Sequence, residues 1–433
     1  MRLRYDRVSW HACDTQNDSA GKGNGDAFPL IVRACLSPRH SEEDQTGGEQ
    51  VEQVDLAIPP GDAAAAAEPA IAIDTAALRL LRWAHTNDLL RPDAWYPGEA
   101  YENPALDPIQ LQAIADLRRR RVNFVGVNHA RSEVTIYMQR AVPAERVLKT
   151  WPKTVDGYRL RYRQGVPTTV TAANVAETAT PCAMHVVGGS AFYTCGSSIS
   201  IGNNREAGTL GCLVRDAAGD LFGLTNNHVS GACNYAPTGQ PILAPGVCDV
   251  GPANPAPFTI GFHTRQLPMH MGDPTTVNVV DNDDAAIFRI ADGGRVSSSQ
   301  QNVYDTPAAA IGLAAGMQVE KVGRSSGHTR GIVVDRVMGP LPVGYHAAQY
   351  GFNGTAFFEP MFIVVGLGDR FSEGGDSGSL VVHTDATGTK YAVGIVIAGR
   401  DDGSVPGGKL SLIMPIQPIL TKLGVTLVSG HNV

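Results

Sequence analysis

Phe371-Ser-Glu-Gly-Gly-Asp-Ser-Gly-Ser-Leu380 is the stretch from which the rest of the chain is read. At its centre, Gly375-Asp376-Ser377-Gly378 sets a serine between two glycines, with an acid just before it. A serine hydroxyl is a weak nucleophile until a base takes its proton and fixed donors hold the oxyanion. Gly375 lets the backbone turn so that its own N–H and that of Ser377 point at one spot, and Gly378 leaves room for a carbonyl. A polar glycine-rich turn has the same composition, so the stretch needs a histidine and an aspartate in suitable settings.

Both are present. Apolar residues flank Asp216-Ala-Ala-Gly219, which predicts a hairpin, and its second strand runs out at Thr225-Asn-Asn. His228 therefore sits just past a strand end, where a rigid scaffold presents functional side chains. None of the other eleven histidines has such a setting. Further on, Asp284 directly precedes the apolar run Ala285-Ala-Ile-Phe-Arg-Ile290 and can orient an imidazole from the start of a strand. Asp281 and Asp283 are its rivals, with solvated loop charges as their ordinary role.

The order His228, Asp284, Ser377 is that of chymotrypsin, unlike subtilisin or the α/β-hydrolases. Thr225-Asn-Asn-His-Val resembles the histidine motif of trypsin-like serine proteases, Asp284-Ala-Ala-Ile their aspartate motif and Gly375-Asp-Ser-Gly their serine motif. Gly208-Thr-Leu-Gly-Cys, Asn226-Asn-His-Val and Met414-Pro-Ile-Gln-Pro-Ile-Leu are closer still to a bacterial and plant group that includes the plant narrow-leaf protein. The resemblance covers residues 200–430 well and a stretch from 120 more loosely. It implies a mainly β, chymotrypsin-like pair of six-stranded barrels with the site between them, preceded by a small α+β domain. It also implies a primary pocket floored by Phe371, six positions before the serine, and walled by Ile397-Ala398-Gly399. That pocket has no evident counter-charge, which predicts a small or medium apolar residue before the scissile bond, unless Asp369 or Glu373 turns inward.

This sequence departs from the trypsin-like pattern at three places. Ser379 stands where a glycine is usual. No Ile-Val-Gly-Gly segment precedes the barrels, so the partner of Asp376 is not evident. Val229 occupies the position that in secreted relatives carries a disulfide-bonded cysteine. The seven cysteines form no metal-type pairing, and although Cys233 and Cys248 could close a loop in an oxidising compartment, reduced thiols are the expected state.

Composition sets the outer bounds. The chain has 433 residues, enough for two or three domains, and its 48 glycines suit a turn-rich β protein. A net charge of −7 argues against a nucleic-acid partner, and no apolar run is long enough to span a membrane. The N-terminus lacks the apolar core of a signal peptide, so the expected compartment is the cytoplasm.

Taken in order, residues 1–72 are polar and periodless apart from Phe28–Arg33, which predicts an edge strand, and an alanine run at Ala63–Ala67. Residues 73–200 predict a small α+β domain for assembly or regulation. It has a helix over Asp74–Leu90 with Asp74 as cap, a second from Asp107-Pro108 to Arg121, then strands at Val122–Asn128, Glu133–Met138 and Tyr158–Arg163. Residues 201–433 predict the two barrels. Within them, strands at Gly316–Val322 and Gly331–Val337 bracket a structural turn holding His328, and a short helix near Pro418 closes the chain.

The expected activity is a serine endopeptidase that needs no cofactor or metal. Ser377 is the nucleophile, His228 the proton shuttle, Asp284 its orienter, and the amides of Gly375 and Ser377 form the oxyanion hole. Its partner is a protein or peptide substrate, and self-association is left open. Two rivals are a protease-fold binding module with restrained or no activity and an esterase with the same triad.

Overall fold

Asp216 makes the turn that opens the first barrel. Its Oδ1 accepts from Ala218 N at 3.0 Å and Asp220 N at 2.9 Å, and Gly219 takes φ +89°, a conformation that favours glycine. Cys212–Asp216 and Leu221–Thr225 are thereby paired antiparallel, Cys212 opposite Leu224. The computed structural model describes residues 71–107, 111–165, 168–170, 183–204, 206–251, 257–347 and 350–433. Residues 1–70, with the strand expected at Phe28–Arg33, lie outside them.

Leu221–Thr225 pairs in turn with Ala286–Ile290, that strand with Phe258–Gln266, then Pro241–Ala244, then Ser198–Ile201. Ser198–Ile201 pairs with Gly208–Thr209, which leads within two residues into Cys212–Asp216, so the sheet curls into a half-barrel. A second sheet repeats this order and closes into a six-stranded ring with Gln318–Gly323, Gly327–Val337, Phe362–Gly366, Lys409–Pro415, Lys390–Asp401 and Leu380–Thr384, the last pairing back to Gln318–Gly323. A half-barrel and a closed six-stranded barrel with one strand order make a chymotrypsin-like double barrel, although two closed barrels were expected. The helix Ile416–Leu423 follows, stopped by Gly424 at φ +61°, and Val425–Leu427 returns to pair with Val214–Asp216 of the first barrel.

The strand Gly327–Val337 has eleven residues, more than its barrel partners use. Its far end pairs with Val122–Asn128, Gly126 opposite Val337. Val122–Asn128 pairs with Glu133–Met138, which runs parallel to Tyr158–Gln164. The small sheet before the barrels thus continues the wall of the second barrel. Gly126 makes this possible, because a Cβ there would lie 2.8 Å from Asp335 Cβ. The helix Ile73–Thr86 covers this sheet with Ile73, Ala77, Leu80, Leu81 and Ala84.

Local details differ from the sequence reading. The first helix ends at Thr86, not Leu90, and its N-cap is Ala72, with Asp74 in the first turn. The expected start of the second helix at Asp107-Pro108 runs into residues 108–110, which lie outside the described ones, whereas Asp107 itself is described. Its carboxylate accepts from Lys153 N, Thr154 N and Thr154 Oγ1, which fixes the short strand Thr154–Val155, and the second helix is described over Leu111–Arg120. His328 belongs to a strand and contacts Glu320 Oε2 at 2.7 Å.

Between the barrels, a hairpin of Leu341–Ala347 and Phe352–Phe358 enters the core. Tyr345 and Phe358 pack in one cluster with Cys212, Leu224 and Ile287 of the first barrel and Ile363, Ile395 and Leu412 of the second. Burial of this shared core fixes the seam on which the candidate residues sit. No helix among the described residues is long and apolar enough to cross a membrane.

Candidate active site

The corner that carries His228 is pinned by side chains of its own motif. Thr225 Oγ1 donates to Thr209 O at 2.7 Å, Asn226 Nδ2 to Asp284 O at 2.6 Å, and Asn227 Nδ2 to Leu267 O at 2.9 Å. The chain then makes the short helical turn Asn227–Ser230 and presents the imidazole at the seam. Asp284 is fully buried just before the strand Ala286–Ile290. Its Oδ2 lies 2.6 Å from His228 Nδ1, and its Oδ1 accepts from His228 N at 3.0 Å. A carboxylate so placed selects the tautomer with the proton on Nδ1, which leaves Nε2 to accept. Asp281 is bonded to Asn278 and Asp283 to Lys422, so of the three acids only Asp284 reaches His228.

Tyr345, from the inserted hairpin, donates its hydroxyl to Asp284 Oδ2 at 3.0 Å. Burial, reinforced by the Asp284 charge, pushes this phenol well above its ordinary range, so it remains a donor. Its ring lies 5.7 Å from the imidazole.

The Ser377 turn packs against the same corner. Thr209 N donates to Ser377 O at 2.8 Å. A Cβ on Gly208 would meet both Val229, next to His228, and Ser377 O. Gly378 has φ +93°, and a Cβ there would lie 2.3 Å from Thr225 Oγ1, so the turn fits only with glycine. The Ser377 hydroxyl donates to Ile397 O at 3.2 Å and makes no hydrogen bond to His228. Gly375 has φ +96°, and among the described residues neither its amide nor that of Ser377 has a protein acceptor.

Asp376 has an internal cation. Lys321 Nζ lies 3.0 Å from its Oδ2, with both side chains fully buried. Ser325 N, Ser326 N, Ser326 Oγ and Glu373 N also donate to this carboxylate. Burial works to raise the carboxyl, but Lys321 and these donors outweigh it and hold it below the usual carboxylate range. Beneath Gly375, Arg324 forks onto Asp249, which also accepts from Ser198 Oγ, joining the barrels behind the turn. The sequence reading missed Lys321, Arg324 and Tyr345. Only alternation along Gln318–Gly323 could have drawn notice to a buried lysine there.

The expected pocket residues are placed differently from one another. Phe371 is fully buried in the second barrel's core with Val319, Val333 and Val364, so its ring offers no open floor. Ile397 is buried as well, Ala398 nearly so, and the Lys409 stem lies over Gly399. Glu373 is held by Lys409 at 2.9 Å and by Arg370, and Asp369 faces solvent, so neither acid turns inward as a free counter-charge. Cys195, Cys212, Cys233 and Cys248 are free thiols, so Cys233 and Cys248 close no loop. Among the described residues no cluster of His, Cys, Asp and Glu could hold a metal ion.

Strand order and seam define the class as a chymotrypsin-like serine-protease fold. Residues 295–416 match the family model described as the Nal1 C-terminal domain. The chain is similar to Protein NARROW LEAF 1 of Oryza sativa subsp. japonica, 29% identical over 222 residues, 47% of this chain and 36% of that protein. The chain therefore covers little more than a third of that relative's length. Among solved structures it is similar to Thermobifida fusca Protease A, at 20% identity and TM-score 0.35, over 55% of this chain and 98% of the other. A Nocardiopsis protease gives 19% and 0.35, over 54% of this chain and 97% of the other. The resemblance to the narrow-leaf group read in the sequence is present in the family and relative matches.

Proposed function

We propose that this chain is a serine endopeptidase that cleaves peptide bonds through an acyl-enzyme. The observation that carries the reading is the buried Asp284 carboxylate, engaged on both oxygens by His228 and held by Tyr345. For this chemistry the Ser377 hydroxyl must leave Ile397 O by a χ1 rotation and donate to His228 Nε2 instead. Ser377 Oγ then attacks the substrate carbonyl carbon while its proton passes to Nε2. The amides of Gly375 and Ser377 stabilise the oxyanion, and Asp284 stabilises the imidazolium. Collapse of the tetrahedral adduct expels the amine, which takes the proton from Nε2, and water hydrolyses the ester by the same route in reverse. These steps draw on no cofactor. Ile397 and Ala398 offer no counter-charge beside the scissile bond, which favours a small or medium apolar residue there.

The Ser377–Ile397 contact also suits a protease-fold module that binds without cutting, and the acids separate the two readings. In hydrolysis of a fluorogenic peptide library, Asp284→Asn should cost on the order of 10⁴-fold by spoiling the tautomer. Asp281→Asn, whose carboxylate is bonded to Asn278, should be silent. A crippled Asp281→Asn, or an active Asp284→Asn, contradicts the assignment.

A further inference from the structure

Beside the seam, segment 92–96, loop 271–275 and the strand Phe352–Phe358 line an open cavity of about 690 Å³. Trp95, Tyr96, Phe352 and Phe357 wall it, and the charged residues lining it, among those described, are Asp93 and Asp273. The walls are set in advance. Trp95 lies over Gly339, where a Cβ would come within 2.1 Å of its ring, and Phe352 lies over Gly354 in the same way at 2.7 Å. Tyr96 stacks on His85 at 3.6 Å.

The cavity adjoins the candidate active site through two contacts. Asn282, two residues before Asp284, donates from Nδ2 to Phe357 O at 3.0 Å. Phe352 packs 5.1 Å from Tyr235, on the loop that follows His228. The two carboxylates differ in their partners. Asp93 is paired with Arg91, whereas Asp273 accepts from Thr275 N and Thr275 Oγ1 on one oxygen and has no cationic partner among the described residues.

We propose that this cavity takes a lysine or arginine side chain of the substrate polypeptide, at a position removed from the bond that Ser377 attacks. The proposal rests on the endopeptidase reading for the identity of its occupant. Aromatic faces accept the aliphatic stem and attract the cation at its end, and Asp273 supplies the opposite charge. An acidic side chain would meet two carboxylates. A purely apolar one would cover Asp273 without pairing it, which is unfavourable. The hairpin whose second strand walls the cavity also carries Tyr345 to Asp284, which ties the cavity wall to the candidate active site.

The test uses the full chain and two degenerate peptide pools, with arginine or glutamine fixed at each position in turn. Turnover by the native chain should favour arginine at one position away from the cut, about tenfold and through KM. Asp273→Asn keeps the acceptor for Thr275 and should bring the arginine-to-glutamine ratio to about one. Asp273→Lys should invert it. Anisotropy of the same pools, fluorescein-labelled, reads binding without turnover. Arginine-dependent binding lost in Asp273→Asn supports the cavity assignment even where no peptide is cut, a result that would refute the endopeptidase reading alone. Equal binding of both pools, or an arginine preference unchanged in Asp273→Asn, overturns the proposal.

Discussion

Lys321 and Tyr345 are the two side chains that turn a set of motifs into a built site. Each reaches a motif acid across the fold, Lys321 to Asp376 over 55 residues and Tyr345 to Asp284 over 61. In the trypsin-like pattern a new N-terminus pairs with the acid before the serine, and here a lysine already does so. The Ser377 turn is therefore held without any cut in the chain. The Asp376 carboxylate sits below its usual range, so the pair's contribution is present above the pH where an unfolded carboxylate titrates. It is lost only as pH falls through the lower, folded value. Lys321→Met leaves a buried charge alone, at a cost of about 3–5 kcal/mol. It should also lower kcat/KM on the order of 100-fold, as does loss of an oxyanion donor. Stability and turnover measured together check this, with Asp376→Asn/Lys321→Met as the variant that removes the lone charge. Native turnover in Lys321→Met would show that the turn needs no such brace.

His228, Asp284 and Ser377 were legible in the sequence because each lies in a short local pattern: a strand end, a strand start, a glycine turn. Lys321 and Tyr345 were not, because a residue's partner across a barrel leaves no mark on its neighbours. Phe371 shows the other kind of limit. Its offset from Ser377 was read by resemblance, but the apolar ring follows the hydrophobic core and not the pocket.

At the scale of elements, the strand Gly327–Val337 does two jobs, as barrel stave and as the edge on which the preceding sheet is built. Sequence alternation predicted its later half. Its start at Gly327 and its extra partner were hidden, since edge pairing depends on which strand arrives. Asp335 lies buried at this junction and accepts from the Tyr137 hydroxyl at 2.5 Å. Burial pushes its carboxyl up to about 6, against the pull of Tyr137 and Arg163. A carboxyl raised in the fold favours folding below the unfolded value of 3.8, and that stability falls as pH rises from there to about 6. Asp335→Asn keeps an acceptor for Tyr137 but cannot titrate. Its effect on stability should therefore shift toward stabilising between pH 3.5 and pH 7, on the order of 1–3 kcal/mol. Urea denaturation at the two pH values reads this. An identical effect at both would mean that Asp335 is not raised.

For the whole molecule, the order of three motifs implied two barrels, and a half-barrel and a closed barrel of the same strand order are what forms. The sequence reading set a small α+β domain at residues 73–200 ahead of the barrels at residues 201–433. The strand Val122–Asn128 of that piece hydrogen-bonds into the second barrel's wall. All of this architecture converges on one chemical claim, that Ser377 is a nucleophile activated by His228. The most direct measurement is covalent labelling of the full chain by a fluorophosphonate, with the modified residue mapped by mass spectrometry. The account predicts a single adduct on Ser377, absent in Ser377→Ala and in His228→Ala. An unlabelled native chain, or an adduct elsewhere that persists in Ser377→Ala, would contradict it.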